Sequence, residues 1–252
     1  MKENILITGH KGLIGGEIYN HLKKRYNVYG YDNLKDKKSI FNLDNKIHYH
    51  YIIHCAANCV IREIIKEPHK SLENIILNYN IMELARKYHS KIFLFSSSRV
   101  NHKNMNPYVV SKLYLENLAK SYKECYDLDS IIIRPETVWG YKRDNPVRVI
   151  PNWINCAKKN KDIIIFGSKD KELPPIRVDD FTIAFLKIFK NFDKNKNKTF
   201  AICGYPQKAE TIAKQIIKKY KSKSKIIFKS PELSQPQKYK ANKNTIYLKN
   251  VF

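Results

Sequence analysis

Ile5-Leu6-Ile7-Thr8-Gly9-His10-Lys11-Gly12-Leu13-Ile14-Gly15 is the stretch on which the fold of this chain turns. Its apolar start reads as a strand buried on both faces, and the glycine turn after it opens a helix on which Ile14, Ile18 and Leu22 recur every fourth residue. Strand, tight turn and helix in that order gather free backbone N–H groups and the positive end of a helix dipole at one point, a seat for pyrophosphate. Gly9 permits the turn, Gly12 the close approach of phosphate and Gly15 the close packing of helix on strand, with Lys11, Leu13 and Ile14 beside them. Asp32 ends the next apolar run and follows Gly12 by about 20 residues, where a carboxylate takes both ribose hydroxyls of adenosine. A carboxylate there repels a 2′-phosphate, so the expected cofactor is NAD, while Lys35, Lys37 and Lys38 leave NADP possible.

Beyond this unit, short runs rich in Ile, Val and Phe at 27–31, 51–55, 91–96, 130–134 and 162–166 alternate with helical patterns. The alternation predicts an α/β fold, a Rossmann-type doubly wound parallel sheet with a small C-terminal substrate lobe. Leu72, Ile75, Ile76, Tyr79 and Met82 mark one helix by their period, and 108–126, 180–189 and 209–220 read as others. No internal repeat or linker divides residues 1–252, which read as a single unit. Its dinucleotide-binding core lies mainly within 1–170 and its substrate lobe mainly within 171–252. Residues 230–252 are polar and read as a loose tail or a short strand pair.

A chain of 252 residues can bury one sizeable core. No apolar stretch approaches the ~20 residues needed to cross a bilayer, so no membrane partner is expected and the location is expected to be cytoplasmic. The five cysteines are scattered, with no C-x-x-C pair and no histidine cluster at ligand spacing, which argues against a metal site or a disulfide framework. The formal charge of +24 comes mostly from Lys mixed with Asn, Ile and Ser along the whole chain. That pattern suits solvated faces rather than a nucleic-acid groove, and no recognisable nucleic-acid module accompanies it.

Tyr108-Val109-Val110-Ser111-Lys112 sets a phenol and an ammonium one helical turn apart on one face. A phenol near its ordinary pKa of about 10 is a poor base at neutral pH. The ammonium is expected to lower it and to reach the nicotinamide ribose. Ser96-Ser97-Ser98 ends the preceding strand and offers a hydroxyl for the substrate oxygen. His54, Cys55, Cys59, Trp139 and Phe166 have simpler readings as packed or incidental side chains.

Together these residues resemble the extended short-chain dehydrogenase/reductase family, in particular its nucleotide-sugar epimerases, dehydratases and reductases. The likeness runs from about residue 3 to about residue 190. It is carried by the glycine turn, Tyr31-Asp32-Asn33-Leu34, Ile53-His54-Cys55-Ala56-Ala57, Asn74 and Asn80, Phe95-Ser96-Ser97-Ser98, Pro107-Tyr108 through Leu113, Arg134-Pro135, Val138-Trp139-Gly140 and Val178-Asp179-Asp180. The resemblance implies Ser98, Tyr108 and Lys112 as the catalytic trio. It implies Asn33, Asn42, Leu43, Cys55, Ala56, Ala57, Asn74, Ser96 and Pro135 as further cofactor contacts, with Tyr108 and Lys112 reaching the cofactor too. For the substrate it points to Ser97, Ser98, Arg99, Thr137 and Arg177.

The departures are as informative. Between Ser98 and Tyr108 the chain is shorter than the family's loop, which implies an open or trimmed pocket. The dehydratase branch has an acidic pair after its hydroxyl residue, where this chain has Arg99 and Val100, so 4,6-dehydration is disfavoured. Thr137 replaces an asparagine that often holds substrate, and Leu173 replaces an arginine that often clamps the diphosphate. Arg99, Arg143, Arg148 and Arg177 are candidates to take its place. The expected activity is NAD-dependent epimerisation of a nucleotide-linked sugar at C4, through a transient 4-keto sugar. A 4-ketoreductase or dehydrogenase on the same fold is the alternative, and a non-catalytic dinucleotide- or nucleic-acid-binding protein the alternative of another class. Apolar residues on more than one face of the helices after Glu67 and Pro107 lead to an expected homodimer.

Overall fold

Strand β1 (Asn4–Thr8) explains why the sheet is covered on both faces: Ile5 and Ile7 point to one side and Leu6 to the other, and all three are fully buried. The same alternation holds in β3 (Tyr51–His54), β4 (Lys91–Phe95) and β5 (Ser130–Pro135). Ile53, Phe93 and Ile133 join the first layer, while Ile52, Leu94 and Ile132 join the second. The computed structural model describes residues 2–32, 47–140, 142–233 and 235–249.

Helices α1 (Leu13–Leu22) and α6 (Val178–Lys190) cover the first layer, where Ile18 and Leu22 meet Phe181, Phe185 and Phe189. Helices α3 (His69–Tyr88) and α4 (Pro107–Tyr126) cover the second, with Ile81, Met82, Leu115 and Ala119 against the strands. A short helix α2 (Ile61–Lys66) precedes α3. Seven parallel strands lie in the order β13 (Thr245–Leu248), β10 (Thr199–Gly204), β5, β4, β3, β1 and β2 (Asn27–Tyr31), with β2 at one edge. The chain runs from β1 out to β2 and then crosses back to β3 on the other side of β1. That reversal opens a crevice at the carboxyl ends of β1 and β3, where ligands bind in such sheets.

Three expectations change at this level. The run at 162–166 forms β7 (Ile163–Phe166), which leaves the main sheet and pairs in parallel with β12 (Ile226–Lys229). Its partners are helices α5 (Val149–Lys158) and α8 (Ala209–Lys219), and Trp153, Ile163, Ile165, Ile212 and Ile216 build a separate core there. The sixth and seventh strands of the main sheet are β10 (Thr199–Gly204) and β13 (Thr245–Leu248), so the sheet draws strands from both sides of residue 170. The polar stretch after 230 thus ends in an edge strand of the main sheet, because the side chains at 245–248 lie against β10 and the first layer. Strand pairs β6 (Val138–Trp139) with β9 (Ile176–Arg177), and β8 (Glu172–Leu173) with β11 (Gln207–Lys208), join the two parts, and a one-turn helix α7 (Phe192–Asn195) precedes β10.

The third change is on α3. Leu72, Ile76 and Tyr79 are 55%, 49% and 48% exposed, while Ser71, Asn74 and Asn78 are buried. The first half of the expected stripe faces outward because the inward face there serves a polar network, while Met82 in the second half is buried against the sheet with Ile81.

Candidate active site

The turn after β1 is shaped by what it cannot accommodate. Gly9 has φ +70°, and a Cβ there would lie 2.9 Å from the backbone of Ala56. A Cβ on Gly15 would lie 2.4 Å from the Gly9 carbonyl oxygen. Gly12 caps α1 without a side-chain hydrogen bond, and no acidic residue stands in the first turn, so the helix N–H groups face the crevice uncapped by any side chain. Asp32 is buried at the end of β2 and accepts from the Lys11 backbone N–H at 3.3 Å. Gly9, Gly12, Leu13, Ile14, Gly15, Asp32, Cys55, Ala56, Ala57, Asn74, Ser96 and Pro135 all line one cleft of about 990 Å³. Lys11 borders it through its bond to Asp32, and Asn33, Asn42 and Leu43 lie outside the described residues. A side-chain-free phosphate cradle with a buried carboxylate beyond it fits NAD.

Beneath the cleft runs a buried chain of hydrogen bonds. The Asn78 amide donates to the Ser111 carbonyl at 3.3 Å, which turns its oxygen toward His54 Nε2 at 3.1 Å. His54 therefore carries its proton on Nε2, and Nδ1 accepts from the Thr8 hydroxyl at 2.7 Å. Burial, followed by the charge of Lys112, holds His54 down to about 3, so it stays neutral and acts as a spacer between β1 and α3. Asn74 spans Asn58 and the Ser111 hydroxyl. This network is why α3 turns polar residues inward.

At the far end stand Tyr108 and Lys112. The Asn106 side chain caps α4 by accepting from the Val109 N–H at 3.1 Å, and Pro107 fills its first position, which puts Tyr108 in the first turn. Tyr108 and Lys112 both line the cleft and are nearly buried. The Lys112 ammonium donates to the Phe95 carbonyl at 2.8 Å, and burial brings it down to about 8. Burial also pushes the Tyr108 phenol up to about 12, and the Cys59 thiol adds to that. A hydrogen bond to the Ser97 side chain and the charges of Arg99 and Arg148 oppose them. The charges that pull the phenol down are thus two arginines, where the sequence pointed to Lys112.

The serines divide their labour differently from expectation. Ser97 caps a 3₁₀ turn (Ser98–Asn101) and meets Tyr108, whereas Ser98 is turned beneath the cleft and donates to Glu136 Oε2. Ser98, expected to offer the hydroxyl, does not line the cleft and Ser97 does, because the turn sends successive side chains to opposite sides. Ser96 is bound to Glu116 at 2.5 Å. Thr137 and Arg99 line the cleft as expected, but Arg177 does not: its guanidinium pairs with Asp179. Phe166, read as core, lines the cleft with Arg62 over its ring at 5.1 Å. Glu136 was not singled out by sequence. It lines the cleft, takes hydroxyl bonds from Ser98 and Thr137, and is pushed up to about 7 by burial. Lys171 and Arg148 also line the cleft, the latter held by Asp144 at 2.9 Å.

A doubly wound sheet with an uncapped glycine turn, and a tyrosine and lysine one helical turn apart on the same cleft, defines a dinucleotide-dependent oxidoreductase scaffold. The chain belongs to the NAD dependent epimerase/dehydratase family, whose model matches residues 5–203. It is thus an NAD-dependent enzyme of the nucleotide-sugar epimerase/dehydratase type. It is similar to the putative UDP-glucose 4-epimerase of Methanocaldococcus jannaschii, 29% identical over 219 residues that span 72% of each chain. It is also similar to the dTDP-D-glucose 4,6-dehydratase of Dictyostelium discoideum, 26% identical over 237 residues, covering 73% of this chain and 54% of that protein. Among solved structures, the UDP-glucose 4-epimerase of Thermotoga maritima matches with a TM-score of 0.82 at 21% identity, over 91% of this chain and 86% of that one. No helix among the described residues is long and apolar enough to cross a membrane.

Proposed function

We propose that the chain inverts a nucleotide-linked sugar at C4, through a 4-keto sugar that turns over in the cleft. The observation that carries this reading is that Tyr108, one helical turn from Lys112, lines the same cleft as Ser97 and the glycine turn. Tyr108 takes the proton of the C4 hydroxyl and later returns it. Ser97 donates to the sugar oxygen as charge develops on it. Lys112 holds positive charge at this wall from a position set by the Phe95 carbonyl. Gly9, Gly12 and Gly15 leave room for the pyrophosphate of NAD, and Asp32 takes its ribose. Bound NAD supplies reversible hydride acceptance at the sugar carbon.

Incubation with a panel of nucleoside diphosphate sugars, followed by NMR of the products, tests the proposal. C4 epimers are expected to appear with no net change in nicotinamide absorbance. A stoichiometric absorbance change with a keto sugar would move the assignment to a ketoreductase, and no conversion of any sugar would end it.

The outward stripe of α3 supports a homodimer. Leu72, Ile76 and Tyr79 are exposed on α3, as is Val110 at 47% on the neighbouring α4, and two copies of such a surface bury one another. Ile76→Glu is expected to halve the mass measured by light scattering; a wild-type monomer at working concentration removes this part of the proposal.

A further inference from the structure

Arg99 stands where the chain leaves β4, in the 3₁₀ turn next to the serine that meets Tyr108. Its backbone N–H donates to Ser97 Oγ at 3.2 Å, which ties its position to the reacting end of the cleft. Its guanidinium has no hydrogen-bond or ion-pair partner among the described residues, although Nη1 is shielded from water. A shielded donor left without an acceptor needs a reason, and here the neighbours give one. Four other cations of the cleft are engaged: Arg148 with Asp144, Arg62 with Glu232, Lys112 with the Phe95 carbonyl and Lys171 with the Phe166 carbonyl. Arg99 differs from these four in having its charge uncommitted, and from Lys238, which also lines the cleft, in its backbone tie to Ser97 and its shielded Nη1.

Resting on the nucleotide-sugar reading above, we propose that Arg99 makes the sugar end of the cleft selective for a hexose that carries a carboxylate. The planar guanidinium offers paired donors that match a carboxylate's two oxygens, and one shielded nitrogen is already stripped of water. Its place at the reacting end sets it apart from a diphosphate clamp, because its charge bears on the Tyr108 phenol. Glu136 shares this wall but lies beyond ion-pair distance and takes the hydroxyls of Ser98 and Thr137 instead. Burial pushes its carboxyl up to about 7, so near neutrality part of it carries no charge to oppose a substrate carboxylate.

Binding of UDP, UDP-glucose and UDP-glucuronate to the NAD-loaded protein by calorimetry, alongside turnover, tests this in wild type, Arg99→Ala and Arg99→Lys. Wild type is expected to bind UDP-glucuronate about 10-fold more tightly than UDP-glucose, and Arg99→Ala to erase that preference while leaving UDP within about 2-fold. Arg99→Lys, with a point charge and no fork, is expected to fall between them. Equal binding of the two sugars by wild type overturns the proposal. Equal weakening of UDP and both sugars in Arg99→Ala overturns it in favour of the diphosphate. Equal loss of kcat on both sugars, with the pH profile moved to higher pH, overturns it in favour of phenol activation. Failure of all three ligands to bind wild type strikes the underlying nucleotide-sugar reading instead, so the two failures are distinguishable.

Discussion

Tyr108→Phe is expected to lower kcat by about 10³-fold, within the range that a positioned acid–base group contributes, while the rise in melting temperature on adding NAD persists. The substitution removes one oxygen from a nearly buried ring and leaves its packing beside Ile61, Ile64 and Val109 intact. Losing the hydroxyl's polar contacts costs stability about 1 kcal/mol, too little to unfold the protein. What disappears is the group that takes the C4 proton. The pH dependence follows from the same site. Lys112, brought down to about 8, is charged below that value and gives up its proton as pH rises through it. The activity of the wild type is therefore expected to fall on the alkaline side near pH 8, and Lys112→Met to lack that limb along with most of its rate. Stopped assays across pH, with melting curves in the presence and absence of NAD, measure both. Turnover by Tyr108→Phe within tenfold of wild type would show that the proton leaves by another route.

The parts of this site that were legible in the sequence are those that local geometry dictates. Gly9, Gly12 and Gly15 could be read because they recur within one strand-turn-helix unit, where a Cβ on Gly15 would meet the Gly9 carbonyl, although what a Cβ on Gly9 would strike is Ala56, far off in sequence. Tyr108 and Lys112 could be read because helical spacing alone brings them to one face. Ser97 and Ser98 could not be told apart: three identical residues differ only in where a 3₁₀ turn sends them. The reversed face in the first half of α3 escaped because its period is amphipathic either way. Only the location of His54 and Ser111, far off in sequence, shows that asparagines belong inside. β7 and β13 look alike as short apolar runs, and their partners are non-local. Glu136 is unreadable for the same reason, since its character comes from burial and from Ser98, far off in sequence.

Arg134→Met is expected to destabilise the protein by about 3–5 kcal/mol, the cost of leaving a buried carboxylate without its cation. Arg134 on β5 reaches Glu116 through Nε at 2.8 Å and Nη2 at 2.6 Å, and both side chains are largely buried. Its remaining nitrogen, Nη1, donates to Asn101 at 2.8 Å and to Asn242 at 2.7 Å, so one guanidinium gathers the 3₁₀ turn, the catalytic helix and the approach to β13. Glu116 lies one turn beyond Lys112 on α4 and also accepts from Ser96 at 2.5 Å. Removing the arginine thus strands Glu116 and frees the two segments that hold Ser97 and Lys112 at their separation. At the size of this chain the loss corresponds to a fall in melting temperature of roughly 10 °C. An unpaired charge, not lost packing, is the cause, and this makes the sign of a second change predictable. Adding Glu116→Leu to Arg134→Met removes the stranded carboxylate and is expected to recover much of the stability, although Glu116→Leu alone destabilises. Additive losses in the double variant would mean that the pair acts through packing and not through charge. Catalysis separates the roles further: the double variant is expected to melt near wild type yet turn over slowly, because Ser96 and α4 have lost the carboxylate that joined them.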